Sequence, residues 1–241
     1  MDEELVQKLS VYEPGAETAE LIKKTPVLLL VGPTGAGKDS LKERLLETGQ
    51  YHHIVSHTTR RPRINHGVLE EDGREYHFID KETAIQMLDD KAFIEAKGYS
   101  GNLYGTSVAE IKAAHDEGKI AVTDIEVQGV AEYKEFDPNV MAVFLLPPSF
   151  KEWQERLQRR YGDVVDAADA RMRMETGLEE LEQLLNTNYY MPVVNDDIEK
   201  AFAEIQEITK TGRHEDYPNS DAHKVAEKFA QDIQKHLEET A

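Results

Sequence analysis

The glycine-rich segment that follows an apolar run near the start of the chain has the residues needed to hold a phosphate. The run covers residues 27–31, and the segment reads GPTGAGKDS over residues 32–40. Glycines let a backbone approach a phosphate closely, and the N–H groups at a helix start point at it. Lys38 has the length and charge to reach the β- and γ-phosphates of a nucleotide. The pattern predicts a phosphate-binding loop; the alternative is a strand-to-helix turn that binds no ligand.

Asp39 departs from the usual phosphate-loop pattern, in which Ser or Thr follows the Gly-Lys pair. A hydroxyl at that position would coordinate Mg²⁺, and a carboxylate is also an oxygen ligand for this metal. Ser40 points about 100° further round the helix and is an imperfect substitute. We therefore expect a working phosphate loop in which Asp39 contacts the metal and adds negative charge beside the phosphates.

Arginine is concentrated in two short windows of an acidic chain. The formal net charge of -19 at pH 7 argues against a nucleic-acid binder or an anionic-membrane binder. Guanidinium groups pair with phosphates through two parallel hydrogen bonds, so the windows predict a site for small polyanions. Ordinary surface ion pairs are the alternative. The windows hold Arg60, Arg61 and Arg63, and then Arg156, Arg159, Arg160, Arg171 and Arg173.

The composition favours a soluble globular protein. The chain has 241 residues, of which 31% are charged and 39% belong to the hydrophobic set. No apolar run approaches the roughly 18 residues that a membrane span requires. The chain has no cysteine, which excludes disulfides and thiolate metal sites. The acidic start MDEEL lacks the basic-then-apolar order of a secretion signal, so we expect a cytoplasmic location.

Short apolar runs alternate with helical patterns along most of the chain. This alternation predicts an α/β fold with a parallel sheet and right-handed crossovers. The expected strands are 27–31, 120–125, 140–146 and 191–194, and the expected helices are 40–47, 106–117, 149–160 and 167–185. Residues 51–105 differ, because short β-like pieces at 54–58, 76–79 and 93–96 flank a polar loop at 65–73.

The two ends of the chain differ from its middle in their pattern of apolar residues. Residues 1–24 have a sparse apolar rhythm that fits one or two short helices or a loose arm. Residues 211–218 resemble a linker, and Asn219 or Ser220 could cap a final helix. We expect the apolar face of that helix to pack on the body; a dimer contact is the alternative. The face consists of Ala222, Val225, Ala226, Phe229, Ile233 and Leu237.

A second group of segments has the chemistry of a site for a nucleoside monophosphate. The segments read VSHTTRRPR (55–63), GREYHF (73–78), FIE (93–95) and GNLYGTS (101–107). They supply hydroxyls, arginines and tyrosines, which suit a phosphate monoester. The carboxylate of Glu95 can accept two N–H bonds from the Watson–Crick edge of guanine, which adenine cannot offer. A solvated strand glutamate and half-buried aromatic side chains are the structural alternatives.

With these segments in place, the sequence resembles the guanylate kinases. The motifs SHTTRRPR, GREYHF, FIE, GNLYGTS, DIEVQG, LPPS and VVNDD occur in the order typical of that family, from about Pro26 to Thr209. The resemblance implies a P-loop parallel sheet flanked by helices, an inserted small β-rich lobe that binds GMP, and a short helical lid. It implies an N-terminal extension at 1–24 and a guanylate kinase-like domain at 25–210, followed by a linker and C-terminal helix at 211–241. Within the domain, the core is 25–50, 106–155 and 176–210, the GMP-binding lobe is 51–105, and the lid is 156–175.

The resemblance also implies roles for individual residues. The catalytic groups are Lys38, Arg156, Arg160 and Arg171. The GMP site is formed by Ser56, Arg60, Arg63, Tyr76, Glu95, Tyr104, Thr106, Asp124 and Glu126. The ATP site is formed by Gly32, Thr34, Gly35, Ala36, Gly37, Lys38, Asp39, Ser40 and Asn195. The implied cofactor is Mg²⁺ with ATP, held by Asp39 and Asp124.

Several positions depart from the family pattern besides Asp39. Glu126 stands where the family usually has a second Asp, and Lys97 where the family is often acidic or amide. Tyr161 replaces a lid glycine. The loop at 64–72 is longer than usual and carries His66, for which a metal role is not expected because no matching ligand cluster is evident.

The expected function is ATP-dependent phosphorylation of GMP, and of dGMP, to the diphosphate by direct in-line transfer. The expected partners are these small nucleotides, with no nucleic acid and no membrane, in a monomer or homodimer. A second hypothesis is a catalytically weak guanylate kinase-like module that binds phosphorylated ligands such as peptides. A kinase for another nucleoside monophosphate is a third, which Glu95, Ser56 and Thr106 oppose.

Overall fold

The computed structural model describes residues 2–65, 68–161, 167–212 and 221–240. They form two compact units that the chain enters more than once. The first unit is Met1–Val27, Gln50–Thr123 and Glu132–Pro138, and the second is Leu28–Gly49, Asp124–Ala131 and Asn139–Ala241. The domain boundaries given above stay a prediction, and their parts at 162–166 and 213–220 lie outside the described residues, as do His66, Asn219 and Ser220.

The described chain contains both strands and helices, with five short strands in succession over residues 51–78. The strands are β1 (Val27–Val31), β2 (Tyr51–His53), β3 (His57–Thr58), β4 (Ile64–Asn65), β5 (Val68–Leu69), β6 (His77–Phe78), β7 (Phe93–Tyr99), β8 (Asn102–Ser107), β9 (Ile120–Asp124), β10 (Met141–Leu146) and β11 (Tyr190–Val194). The helices are α1 (Glu3–Ser10), α2 (Ala16–Lys24), α3 (Lys38–Leu46), α4 (Lys81–Asp89), α5 (Val108–Asp116), α6 (Val127–Phe136), α7 (Phe150–Tyr161), α8 (Ala167–Asn186), α9 (Ile198–Thr211) and α10 (Asp221–Glu239).

The second unit is built on parallel strands in the order β11, β10, β1. Every residue of β1 and β10 is buried, as expected for strands covered on both faces. Helices α9 and α10 pack on this sheet, α8 packs against α10, and α9 also packs against α3. The predicted α/β class with a parallel sheet flanked by helices is confirmed.

Local signals explain where α9 begins and ends. The carboxylate of Asp197 accepts hydrogen bonds from the N–H groups of Glu199 and Lys200, so it caps the helix start. At the other end, Gly212 has a φ of 68° and its N–H donates to the Ile208 carbonyl. That left-handed conformation is natural for glycine and stops the helix.

The first unit contains a four-stranded sheet in the order β6, β3, β8, β7 and a separate parallel pair, β2 with β9. Strand β8 pairs antiparallel with both β3 and β7, whereas β3 and β6 are parallel. The register of β7 shifts between Phe93 and Glu95, which marks a β-bulge. A bulge redirects side chains along its strand, and this one lies directly before Glu95.

The N-terminal residues form two helices rather than a loose arm. Asp2 caps α1 by accepting a hydrogen bond from the Glu4 N–H. Leu5 is buried in a cluster that α4, β7 and β8 also supply. Burying a leucine side chain contributes about 2 kcal/mol, so α1 belongs to the core of the first unit. The other members of the cluster are Ala84, Leu88, Phe93 and Leu103.

Helix α10 packs on the body through the face predicted for it. Ala226, Phe229, Ile233 and Leu237 are buried, and Ala222 and Val225 are partly buried. The neighbours of α10 are α7, α8, β10 and β11, all within the second unit. The apolar face of α10 therefore packs on the body of its own chain, as expected.

Some details differ from the pattern read in the sequence. The expected strand 54–58 is interrupted, because the Ile54 N–H donates to the Val122 carbonyl and the Val55 N–H to the Glu110 carboxylate. The predicted polar loop 65–73 contains β5, which pairs with β4. Helices α4, α6 and α9 were not expected. Among the described residues, no helix combines the length and hydropathy needed to cross a membrane.

Candidate active site

The loop between β1 and α3 has a backbone that only glycine allows at two positions. Gly32 has a φ of 125°, and a Cβ there would lie 2.3 Å from the Leu145 carbonyl oxygen. Gly37 has a φ of 99°, and a Cβ there would lie 2.2 Å from the side-chain nitrogen of Asn195. The close packing of this loop onto β10 and β11 therefore depends on its glycines.

Asn195 ties the loop to the neighbouring strand and to an arginine. Its buried side-chain Nδ2 donates to the Ala36 carbonyl over 2.8 Å, and its backbone N–H donates to the Leu146 carbonyl over 2.8 Å. The backbone carbonyl of Asn195 accepts a 2.8 Å hydrogen bond from Nη2 of Arg156. Asn195 thus contacts both the loop and one of the predicted lid arginines.

A cavity of about 740 Å³ opens beside this loop, entirely within the second unit. Its volume suits a nucleotide, since small-molecule sites usually measure about 300–1,000 Å³. It brings together most of the predicted ATP-site residues and two of the predicted catalytic arginines. Its lining residues are Thr34, Gly35, Gly37, Lys38, Asp39, Ser40, Asp124, Arg156, Arg159, Arg160, Tyr161, Asn195, Asp196 and Ile198.

Lys38 lies folded against its own loop in this structure. Its Nζ donates to the Gly32 carbonyl and, over 3.4 Å, to the Pro33 carbonyl. Burial lowers the pKa of Lys38, while the nearby carboxylates of Glu180, Asp124 and Asp39 act in the opposite direction. A phosphate in the cavity would offer Lys38 a stronger, charged partner than these carbonyls.

Two carboxylates face the cavity and could contact a metal. Asp39 is 61% exposed and lies 3.8 Å from Nη2 of Arg160. Asp124 at the end of β9 pairs with Lys42; burial acts to raise the pKa of Asp124, but the Lys42 ammonium outweighs it, so the pKa is lowered. Within the described residues, no group of three or more histidine or acidic side chains is arranged so that it could hold a metal ion. Two carboxylates still fit Mg²⁺, which completes its octahedron with waters and substrate phosphates.

The predicted lid arginines are placed differently from one another. Arg156 and Arg160 line the cavity, with Arg156 also paired to Glu152 over 3.1 Å. Arg171 is paired to Glu175 over 2.9 Å and donates to the Leu237 carbonyl over 3.4 Å, so it faces α10 and is absent from the cavity wall.

Arg173 is a cation that the sequence assigned no role. Its guanidinium lies 4.4 Å from the ring centre of Tyr161, and it lines a small space of about 140 Å³ that also contacts Thr34 of the loop. The guanidinium of Arg160 lies over the same ring at 5.6 Å. In the sequence, Arg173 was noted only as a member of the second arginine window. That window also contains Arg171, so it gave no reason to prefer one of the two.

The first unit joins two of the residues predicted to hold a guanine by a hydrogen bond. The Thr106 hydroxyl donates to Oε1 of Glu95 over 2.9 Å. Burial raises the pKa of Glu95, and the Thr106 hydrogen bond acts against that rise. Ser56 is partly buried, and its carbonyl accepts the His77 N–H over 2.9 Å. Glu126 lies in the second unit and is exposed.

The residues predicted to hold the monophosphate surround Arg60. Its guanidinium makes two hydrogen bonds to Glu70, of 2.7 and 3.0 Å, and lies 5.2 Å from the ring centre of Tyr76. Tyr76 and Tyr104 are in edge contact, with ring centres 5.8 Å apart. The Arg63 N–H donates to Glu70, while the Arg63 side chain is exposed. Glu70 thus fixes Arg60 beside two tyrosines.

Glu70 was not found by sequence reasoning. The Arg60 guanidinium is the largest influence on it and lowers the pKa of Glu70. The pair is buried, so the charges are strongly coupled and the guanidinium plane is held in one orientation. Glu70 is followed by two further acidic residues within the long loop, and nothing in its sequence context distinguishes it from a solvated glutamate.

A glycine-rich loop between a buried strand and a helix, with a lysine at the helix start and arginines across the cavity, defines a P-loop nucleotide-binding protein. The family model for guanylate kinase matches residues 23–212. The chain belongs to the guanylate kinase family.

Individual relatives agree with this assignment. The guanylate kinase of Schizosaccharomyces pombe is 37% identical over 190 residues, which cover 78% of this chain and 91% of that protein. The guanylate kinase of Bdellovibrio bacteriovorus is 36% identical over 188 residues, covering 78% of this chain and 97% of that protein. The crystal structure of guanylate kinase from Anaplasma phagocytophilum shares the fold, with a TM-score of 0.58 and 24% identity over 84% of this chain and 94% of that one.

Proposed function

We propose that this protein transfers the γ-phosphoryl group of ATP to GMP, giving ADP and GDP. The observation that carries the proposal is the partly buried Glu95–Thr106 pair in a chain that also has a P-loop cavity lined by arginines. The first feature selects a base with two adjacent N–H donors, and the second suits a triphosphate. The residue roles below extend this proposal.

In the GMP site, Glu95 accepts hydrogen bonds from the guanine edge, and Thr106 and Ser56 serve the base. Arg60, held by Glu70, binds the monophosphate together with Tyr76 and Tyr104. Arg63 contributes its exposed guanidinium. Asp124 and Glu126 are also assigned to the GMP site, as the resemblance implies. We propose that dGMP is accepted as well as GMP.

In the ATP site, the loop backbone from Gly32 to Ser40 cradles the phosphates, and Lys38 turns from its own loop carbonyls to the β- and γ-phosphates. Asn195 supports the nucleotide side of the cavity. Asp39 and Asp124 would hold Mg²⁺. When bound, this metal supplies charge neutralisation for the phosphate oxygens.

The reaction needs no protein nucleophile. An oxygen of the GMP phosphate attacks the γ-phosphorus in line, a new P–O bond forms, and the bond to the ADP oxygen breaks. Arg156 and Arg160 stabilise the charge on the transferring group, and Arg171 is proposed as the third lid arginine. Exclusion of water by the lid suppresses hydrolysis of ATP.

The second candidate is a non-catalytic module that binds phosphorylated ligands. Such a module would keep the Arg60, Tyr76 and Tyr104 group and would not need Lys38 or the lid arginines. Because Lys38, Arg156 and Arg160 all line the cavity, the kinase is favoured. We further propose a cytoplasmic monomer or homodimer without nucleic-acid or membrane partners, in keeping with the net charge of -19.

The test is release of ADP from ATP with Mg²⁺ and one added monophosphate at a time: GMP, dGMP, AMP, CMP or UMP. Turnover with GMP and dGMP alone is the expected result. No turnover with any of them, together with calorimetric binding of GMP, would favour the binding module. Turnover with AMP or a pyrimidine nucleotide would overturn the role of Glu95.

A further inference from the structure

One side chain of the N-terminal extension completes the hydrogen bonding of a strand in the guanine-binding sheet. The Tyr12 hydroxyl donates to the Phe93 carbonyl over 2.6 Å and accepts the Phe93 N–H over 3.0 Å. The two rings meet edge to face, with centres 6.4 Å apart. A single hydroxyl therefore serves both backbone groups of one residue.

The contact between Tyr12 and Phe93 lies at the start of an edge strand, directly before a β-bulge. Phe93 is the first residue of β7, and β7 lies at the edge of its sheet, so its outer side has no neighbouring strand in that sheet. The β-bulge falls between Phe93 and Glu95. Bulges set the direction of the side chains that follow them. The Tyr12 hydroxyl thus holds β7 at the bulge, and the bulge sets the direction of the Glu95 side chain.

The tyrosine itself is held by a folded element. Helix α1, which ends two residues before Tyr12, buries Leu5 in the same cluster as Phe93. Lys8 on α1 pairs with Asp89 of α4 over 2.5 Å. Because the helix is anchored by both packing and charge, the Tyr12 hydroxyl has a defined place relative to β7.

We propose that Tyr12 is a positioning residue for base selection: it fixes the β7 bulge so that the Glu95 carboxylate, already bonded to Thr106, meets two N–H donors of the purine at once. This inference rests on the proposed function. It assigns the N-terminal extension a part in recognising guanine, although residues 1–22 lie outside the span of the family match.

Tyr12→Phe tests the proposal, because it keeps the ring and removes the hydroxyl. GMP offers Glu95 the N1–H and the 2-amino group, whereas IMP offers only the N1–H. Misplacement of Glu95 should therefore weaken the recognition of GMP more than the recognition of IMP. We expect the ratio of kcat/KM for GMP to that for IMP to fall about fivefold to tenfold, the size of one hydrogen bond. The change should lie in KM for the monophosphate, with KM for ATP unchanged.

Two further variants separate positioning from loosening of the unit. Val11→Ala changes an exposed neighbour of Tyr12, 75% accessible, and should leave the ratio unchanged. Ile22→Ala removes buried packing from α2 in the same unit and leaves α1 and the Tyr12 hydroxyl in place, so it should lower the unfolding temperature but preserve the GMP to IMP ratio. Equilibrium dissociation constants for both nucleotides, measured by calorimetry well below the unfolding temperature, provide a readout independent of turnover.

The outcomes separate this inference from the function on which it rests. If the wild-type protein neither binds nor phosphorylates GMP, the proposed function itself is wrong. A wild type that prefers GMP over IMP, with an unchanged preference in Tyr12→Phe, would overturn the positioning role alone. Equal loss of preference in Ile22→Ala and Tyr12→Phe would also overturn it, because general loosening would then be the cause.

Discussion

The indole Nε1 of Trp153 donates a 2.7 Å hydrogen bond to the backbone carbonyl of Thr34 in the phosphate loop. Trp153 is fully buried, and Phe229 of α10 meets its ring nearly at right angles, with centres 5.2 Å apart. The loop is therefore supported by a core side chain that the C-terminal helix in turn supports.

Trp153→Phe should weaken ATP binding more than it weakens GMP binding. The substitution keeps an aromatic ring but leaves the Thr34 carbonyl without its donor, at a cost of about 1–3 kcal/mol if water cannot replace it. We expect KM for ATP to rise about fivefold or more, with KM for GMP unchanged. Phe229→Leu is the matched variant, since it loosens packing and retains the hydrogen bond. If both variants raise KM for ATP equally, the hydrogen bond has no role of its own.

Asp39→Ala should raise the Mg²⁺ concentration needed for half-maximal turnover by about tenfold, because one proposed metal ligand is lost. Asp39→Ser restores an oxygen ligand and should stay within a few-fold of the wild type. A titration of turnover against free Mg²⁺ at fixed ATP makes the comparison. Glu43→Ala removes an exposed carboxylate from the same helix and should behave as wild type. An unchanged Mg²⁺ requirement in Asp39→Ala would exclude the metal contact.

Arg160→Ala should lower kcat by about 10³-fold while changing GMP affinity little, since arginines at a transferring phosphate act on the transition state. The resemblance to the family predicts the same loss of kcat for Arg171→Ala. Arg171 faces α10 in this structure, so the parallel variant Arg173→Ala shows which of the two serves the lid. Single-turnover rates and GMP dissociation constants make the comparison. Equal weakening of rate and GMP affinity in Arg160→Ala would contradict a lid role.

Glu95→Gln should lower kcat/KM for GMP by about 10²-fold, because an amide cannot accept both guanine N–H bonds as a carboxylate does. Burial raises the pKa of Glu95, so its protonated form appears at a higher pH than for an ordinary glutamate. GMP binding should accordingly weaken with acidification earlier than a normal glutamate would dictate, and this pH dependence should vanish in the variant. Glu82→Gln, on the exposed face of α4, is the control.

His57 should make the protein less stable as the pH falls from about 6.5 to about 4. Burial, reinforced by the neighbouring His77, lowers the pKa of His57 from 6.5 to about 4. Between these values the unfolded chain binds the proton and the folded chain does not, so stability is lost on acidification by about 1–3 kcal/mol after allowance for solvent screening. Urea unfolding of wild type and His57→Gln across this range measures the difference.

The control for that experiment is His115→Gln, which changes an exposed histidine. Carboxylates titrate in the same range in all three proteins, so only the difference between them reports on His57. A pH profile in His57→Gln that parallels the wild type would show that His57 is not the source.

The phosphate loop and the sheet that carries it could be predicted because their signals are local. Residues 27–31 are apolar throughout, and the glycines and lysine follow at fixed spacing, so strand, loop and helix start are all encoded within a short segment. Glu95 and Thr106 were placed by the family resemblance, and the structure joins them by a hydrogen bond.

The supporting contacts could not be predicted, because each joins residues that are far apart in the sequence or have no distinctive neighbours. Tyr12 and Phe93 are 81 positions apart, and Trp153 and Thr34 are 119 apart. An isolated tyrosine or tryptophan fits an ordinary core position equally well, so its type gave no reason to link it to a site. Only the folded chain shows which carbonyl each one meets.

Helix α10 lies beyond the last residue of the family match, but its apolar face is part of the core of the second unit. A chain shortened at residue 212 would expose the surface that Phe229, Ile233 and Leu237 now cover, including part of the Trp153 ring. Exposed apolar patches of this kind promote association between molecules. Such a shortened chain should therefore be poorly soluble, even if its remaining residues include every group proposed for the reaction.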